Sequence, residues 1–132
     1  MNTTPSHEEK LKQLGLAVIR EEAKAVAALE KQVDDQFVAA CKIMLNCEGR
    51  VIVTGMGKSG HVSNKIAATL ASTGTPSFFV HPGEASHGDL GMILPNDVIL
   101  ALSNSGETQE ILTILTADKI VKPSTPLFER LN

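Results

Sequence analysis

The chain has 132 residues, 42% of them apolar and 20% charged, which are the proportions of a single soluble globular domain. They exclude a disordered chain, a collagen-like repeat and a disulfide-stapled miniprotein, and no window approaches the ~18 unbroken apolar residues of a membrane span. A net charge of −3, no Trp or Tyr and four Phe leave no basic, aromatic surface for nucleic acid.

The polar start MNTTPSHEEKLKQ has no apolar core behind basic residues and is not a signal peptide, so a cytoplasmic chain is expected. From about Ser6 to Lys31 the pattern is helical, with Leu11, Leu14, Val18, Ala25 and Leu29 recurring every three or four residues. Glu8 stands one turn before Lys12, a pairing suited to an exposed helical face. Asp34 or Asp35 can cap a second helix whose apolar side holds Phe37, Cys41, Met44 and Leu45, ending at Asn46–Gly49. Both helices are expected to pack on a core, or to pair with a copy of themselves. Cys41 and Cys47 have no CxxC partner and read as buried free thiols.

The pattern then alternates strand, loop and helix. Residues 50–54, RVIVT, form a β-branched run of the kind buried in parallel sheets. A helix with Val62, Ile66 and Leu70 four apart follows the loop at 55–60, and Ala67, Ala68 and Ala71 let it approach a sheet closely. Gly74 to Pro76 breaks it. A second strand is predicted at 77–80, a His- and Gly-rich loop at 81–91, a third strand at 97–102 and another helix from Glu110. This alternation specifies an α/β fold with ligands at the carboxyl ends of the strands. From Thr116 two prolines and a Ser-Thr pair interrupt the pattern and no further strand appears. Three parallel strands leave an exposed edge, so the expected fold is an incomplete one.

Three loops carry chemistry. Gly55-x-Gly57-x-x-Gly60 follows a strand and opens a helix, where free amides suit an anion. A dinucleotide fingerprint also needs an acid ending the second strand, where Val80-His81 stands, and a P-loop needs a glycine where Ile52 stands. What remains is an anion site containing Lys58, or a tight turn whose lysine points into solvent. Ser103-Asn-Ser105-Gly106-Glu107-Thr108 offers hydroxyls and amides at the next strand end, as a phosphate cradle or as a helix cap. Between them, His81, Glu84, His87 and Asp89 lie within nine residues. His87 can move protons near neutral pH, with Glu84 or Asp89 to orient it. His81 and His87 can also be read as metal ligands, although a spacing of six is no zinc signature, or as ordinary surface histidines.

In their order and spacing, GMGKSGH, STGTPSFFVHPGEASHGDLGM and SNSGET resemble the sugar isomerase (SIS) domain, on the side of the bacterial arabinose 5-phosphate isomerases, from about Gly15 to Leu115. The resemblance implies a flavodoxin-like three-layer α/β sandwich around a parallel sheet. On it, residues 1–48 are the N-terminal helices, 49–115 the front part of the α/β core and 116–132 a divergent tail. It also implies interconversion of D-arabinose 5-phosphate and D-ribulose 5-phosphate, feeding lipopolysaccharide synthesis. No nucleotide or obligatory metal is required, although zinc can occupy the histidine loop at His81. Homo-oligomers are implied, tetramers in full-length members. By resemblance, Lys58, Glu110 and His87 are the catalytic residues. Gly74, Thr75, His81, His87, Ser59, Ser103, Ser105 and Thr108 would bind the sugar phosphate. The family continues with further strands that bring a second glutamate and another histidine, so a truncated or frame-shifted copy is expected, with turnover by this chain in question. The rival readings are a non-catalytic sugar-phosphate-binding module and a fragment without function.

Overall fold

The computed structural model describes residues 5–85, 89–104 and 109, with 89 and 90 described in backbone only. The chain divides into two compact units, residues 1–39 and 40–132. The predicted helix from Glu110 and the tail from Thr116 fall outside the described residues.

The first unit is helical. Helix α1 (His7–Ala28) opens on a capping box: the Glu9 amide donates to Ser6 Oγ at 3.2 Å, and the Ser6 amide donates to Glu9 Oε2 at 3.0 Å. Glu8 and Glu9 in its first turn complement the positive end of the helix dipole. A 3₁₀ turn (Leu29–Gln32) follows. Asp34, not Asp35, caps α2 (Asp35–Leu45): its Oδ1 accepts from the amides of Gln36 and Phe37 at 3.0 and 3.2 Å. Helix α1 carries the long apolar stripe read from the sequence. It buries no residue, and Leu11, Leu14, Val18 and Ile19 are all exposed. Periodicity marks an apolar face but does not say what covers it.

The second unit is built on a parallel sheet of order β2-β1-β3, from β1 (Val51–Gly55), β2 (Ser77–Val80) and β3 (Val98–Leu102). Central β1 is buried along its whole length, as its unbroken apolar run requires. Its side chains alternate between two cores. Val51 and Val53 pack with Ala67, Ile66 and Leu70 of α3 (Gly57–Ser72) and with Met44 of α2. Ile52 faces the other way, onto Val80, Ala85 and Ile93, with Phe78 and Ile99 against them. The connection from β2 to β3 covers that second face. It is more ordered than the predicted loop: α4 (Pro82–Ala85) and a 3₁₀ turn (Asp89–Met92) lie within it. Observed strands begin one residue later than expected at β1 and β3, because Arg50 and Asp97 are used otherwise.

Those two residues clamp the amino edge of the sheet. Asp97 Oδ1 accepts from the Arg50 amide at 2.8 Å and from Nε at 3.2 Å, while Oδ2 accepts from Arg50 Nη2 at 2.7 Å and from the Leu94 amide at 2.8 Å. Arg50 also donates to the Met92 carbonyl and lies 4.9 Å over the Phe78 ring. The Arg50 hydrogen bonds hold the Asp97 carboxyl down at about 2. The cysteines are free, as expected, but half-buried rather than buried. Cys47 lies beyond the end of α2, its thiol 3.6 Å from the Asn96 carbonyl. Among the described residues no helix is long and apolar enough to cross a membrane.

Candidate functional site

Strand register assembles the site. Thr54 is level with Val80 on one side and with Ala101 on the other, and Gly55 is level with Leu102. The residues that leave the strands, Met56, His81 and Ser103, therefore emerge at one edge. The connection after β1 runs through α3 on one face, and the connection after β2 runs over the opposite face. The chain thus reverses direction around β1, the place where open α/β sheets form a crevice for ligands.

The loop after β1 is shaped by close approach. A Cβ on Gly60 would lie 2.6 Å from the Gly55 carbonyl oxygen, so only glycine lets α3 start directly against the strand end. Gly57 has φ +56°, a left-handed conformation that costs a side chain strain. The turn leaves Lys58 exposed and Ser59 half-buried in the first turn of the helix. Lys58 makes no ion pair with the described residues.

Two buried hydroxyls hold this edge together. Thr54 Oγ1 donates to the Val80 carbonyl at 2.6 Å, tying the ends of β1 and β2. Ser63, fully buried on α3, shares its hydroxyl proton between the carbonyls of Thr54 at 3.0 Å and Ser59 at 2.7 Å. Sequence reasoning passed over both residues. Their signal is a polar side chain inside an otherwise apolar pattern: a threonine closing VIV, and a serine on the alanine face of α3. Buried hydroxyls persist only where they are bonded.

His81 is half-buried at the mouth of β2. Its Nδ1 accepts from the Gly83 amide at 3.1 Å, and its ring meets Phe79 edge-on at 6.5 Å between centroids. Glu84 is exposed on α4. Ser103 is buried and Asn104 exposed at the end of β3. Lys58, Ser59, His81 and Ser103 are thus carried to one edge by the three strands. Gly74 and Thr75 are not. They form the stop of α3, where the Thr75 amide donates to the Leu70 carbonyl at 2.9 Å. They stand one helix length, ~24 Å for 16 residues, back toward the amino edge. His87, Ser105, Thr108 and Glu110 lie outside the described residues.

The described residues do not build a zinc centre. No three His, Cys, Asp or Glu side chains converge among them, and the Nδ1 of His81 is already engaged by Gly83.

The SIS domain model matches residues 44–119. Arabinose 5-phosphate isomerase KdsD of Pseudomonas aeruginosa is 67% identical over 94 residues, 71% of this chain and 29% of the relative. KdsD of Yersinia pestis is 58% identical over 103 residues, 78% of this chain and 31% of the relative. The chain therefore spans about 30% of the length of these curated relatives. A solved Escherichia coli CFT073 protein in complex with A5P superposes with a TM-score of 0.76 at 46% identity, over 84% of this chain and 58% of that one. The matched stretch holds the three described strands and the loops at their carboxyl edge, and on that ground the chain belongs to the SIS domain family.

Proposed function

We propose that this chain carries the phosphosugar-binding face of an aldose–ketose isomerase that interconverts D-arabinose 5-phosphate and D-ribulose 5-phosphate. The observation that supports this most is the register that sets Lys58 and Ser59, His81 and Ser103 side by side at one sheet edge. Relatives named for that reaction are 58% and 67% identical over 103 and 94 residues, which supports the same reading.

In this reading Ser103, Ser105 and Thr108 hold the phosphate by hydroxyl and amide donors. A base takes the hydrogen on C2 of the aldose as a proton and returns it to C1. A second proton passes from the C2 hydroxyl to the C1 oxygen, so the cis-enediol collapses to the ketose with nothing gained or lost. Glu110 or His87 is the base, and a histidine assists ring opening. The Lys58 ammonium offsets the charge that grows on the enediolate oxygen. Ser59 and His81 complete the sugar's surroundings at this edge. Neither nucleotide nor obligatory metal enters these steps. The exposed apolar residues of α1 support a homo-oligomer, a tetramer by analogy with the family. In this reading the interconversion serves lipopolysaccharide synthesis in the cytoplasm.

Incubating the purified chain with D-arabinose 5-phosphate and assaying the ketose tests the reaction. Ketose formation supports it. Thermal stabilisation by the sugar phosphate without ketose would leave a binding module in its place, and neither response would overturn both.

A further inference from the structure

We propose that His81 is held as the neutral Nε2–H tautomer and meets the sugar phosphate as a fixed hydrogen-bond donor, not as a base or a zinc ligand. The donor role rests on the phosphosugar reading; the tautomer stands on geometry alone.

The Gly83 amide donates to the His81 ring at 3.1 Å, and an N–H can donate only to a ring atom with a free lone pair. Turning the ring over would put a carbon against that amide, so the contact also selects the ring's orientation. Nδ1 is therefore the unprotonated nitrogen. A neutral imidazole carries one proton, which is then on Nε2. The ring is confined as well as oriented. Phe79 meets it edge-on at an interplanar angle of 82°. The Gly83 α-carbon is also so near that a Cβ there would lie 3.1 Å from Nδ1 and 3.2 Å from Cε1. Nε2 has no hydrogen-bond partner among the described residues and is not among their buried unpaired atoms, so it is the ring nitrogen left open to a ligand. His81 follows Val80, which is level with Thr54, so the residue stands beside the strand end that carries Gly55 and, two and three residues on, Gly57 and Lys58.

The two ring nitrogens divide the chemistry. Zinc at Nε2 needs a lone pair there, which puts the proton on Nδ1 and sets it against the Gly83 N–H. A sugar hydroxyl, carbonyl or phosphate oxygen needs a donor, which this tautomer already presents. Proton abstraction would need a lone pair at the outward nitrogen, and the Gly83 bond keeps it on the inward one. The base must then be sought in other residues.

Long-range proton–nitrogen spectra of the ¹⁵N-labelled chain read the tautomer directly, with His7 and His61 in exposed positions as internal references. The expected pattern for His81 is a protonated Nε2 and an unprotonated Nδ1; the reverse, or an even mixture, overturns the proposal. Adding D-arabinose 5-phosphate should shift the Nε2–H signal and leave Nδ1 unprotonated, and binding that leaves both His81 signals unmoved refutes the donor role. His81→Gln keeps a donor near the Nε2 position and should bind within about threefold of the parent. His81→Asn keeps only the acceptor for Gly83 and should bind roughly threefold to tenfold more weakly, the worth of one neutral hydrogen bond. Zinc alone must leave Nε2 protonated, and loss of that proton on zinc addition would make His81 a ligand instead. If the unmodified chain binds no arabinose 5-phosphate, the donor role falls with the phosphosugar reading. The spectrum of the free chain still decides the tautomer.

Discussion

Replacing Gly60 by alanine tests whether the start of α3 is as tightly placed as the candidate site requires. The new Cβ would stand 2.6 Å from the Gly55 carbonyl oxygen and 3.7 Å from the Phe79 ring. The first contact is with backbone, which has no rotamer to change, so helix and strand must part by about 0.5–1 Å to reach ordinary van der Waals separation. Overpacking of this kind costs about 1–3 kcal/mol. Alanine's better helix propensity returns up to ~1 kcal/mol, leaving a net loss of about 1–2 kcal/mol. Gly91→Ala is the control: nothing lies within 4 Å of its Cβ, so it should be neutral or slightly stabilising. Thermal denaturation followed by circular dichroism reads both, with the midpoint temperature of Gly60→Ala expected several degrees lower, at roughly 4 °C per kcal/mol. Binding of arabinose 5-phosphate should weaken in step, because Lys58 and Ser59 move with the displaced turn. Equal stability of the two variants would show that the contact at Gly55 yields freely, and the tight placement argued for the loop would be wrong.

Lys58→Ala should leave the urea midpoint within about 0.5 kcal/mol of the parent, since the side chain is exposed and unpaired among the described residues. Affinity for arabinose 5-phosphate should fall about fivefold or more, with a weaker dependence on ionic strength; isothermal titration at two salt concentrations measures both. Asp97→Asn should cost about 2 kcal/mol at neutral pH, because the carboxylate is 1% exposed and its value lies at about 2 against the usual 3.8. The folded-state value lies below the unfolded one, so this stabilisation is complete above pH ~4 and drains away as pH falls through about 2. The stability difference between parent and variant should shrink over that window, and a difference constant down to pH 2 would contradict the assignment. Gly15→Ala in α1, where nothing lies within 4 Å, should raise helix stability by up to ~1 kcal/mol, visible as a higher melting temperature for the helical signal.

Much of this molecule is legible one residue at a time. The β-branched run at 51–54, the glycines at 55, 57 and 60 and the break at Gly74 are local statements about backbone freedom and side-chain shape, so they identify strand, turn and helix without reference to distant residues. Other features are not local. Nothing in Arg50 or Asp97 alone announces that 47 positions apart they close one clamp. Nor could the proline and glycine after His81 announce a helical turn whose amide selects a ring nitrogen. The apolar stripe of α1 illustrates the converse, since its pattern is plain and yet no residue of it is buried.

What the sequence by itself determined was the order of strands and helices and the chemistry of each loop, because local propensity and hydrophobic period depend on neighbours along the chain. Only the tertiary structure decided which loops meet. Parallel register between β1 and its two neighbours carries Lys58, His81 and Ser103 to the same edge and leaves Gly74 and Thr75 at the other. The physical reason is that register is set by two cores packing on opposite faces of one strand, a condition no single segment contains.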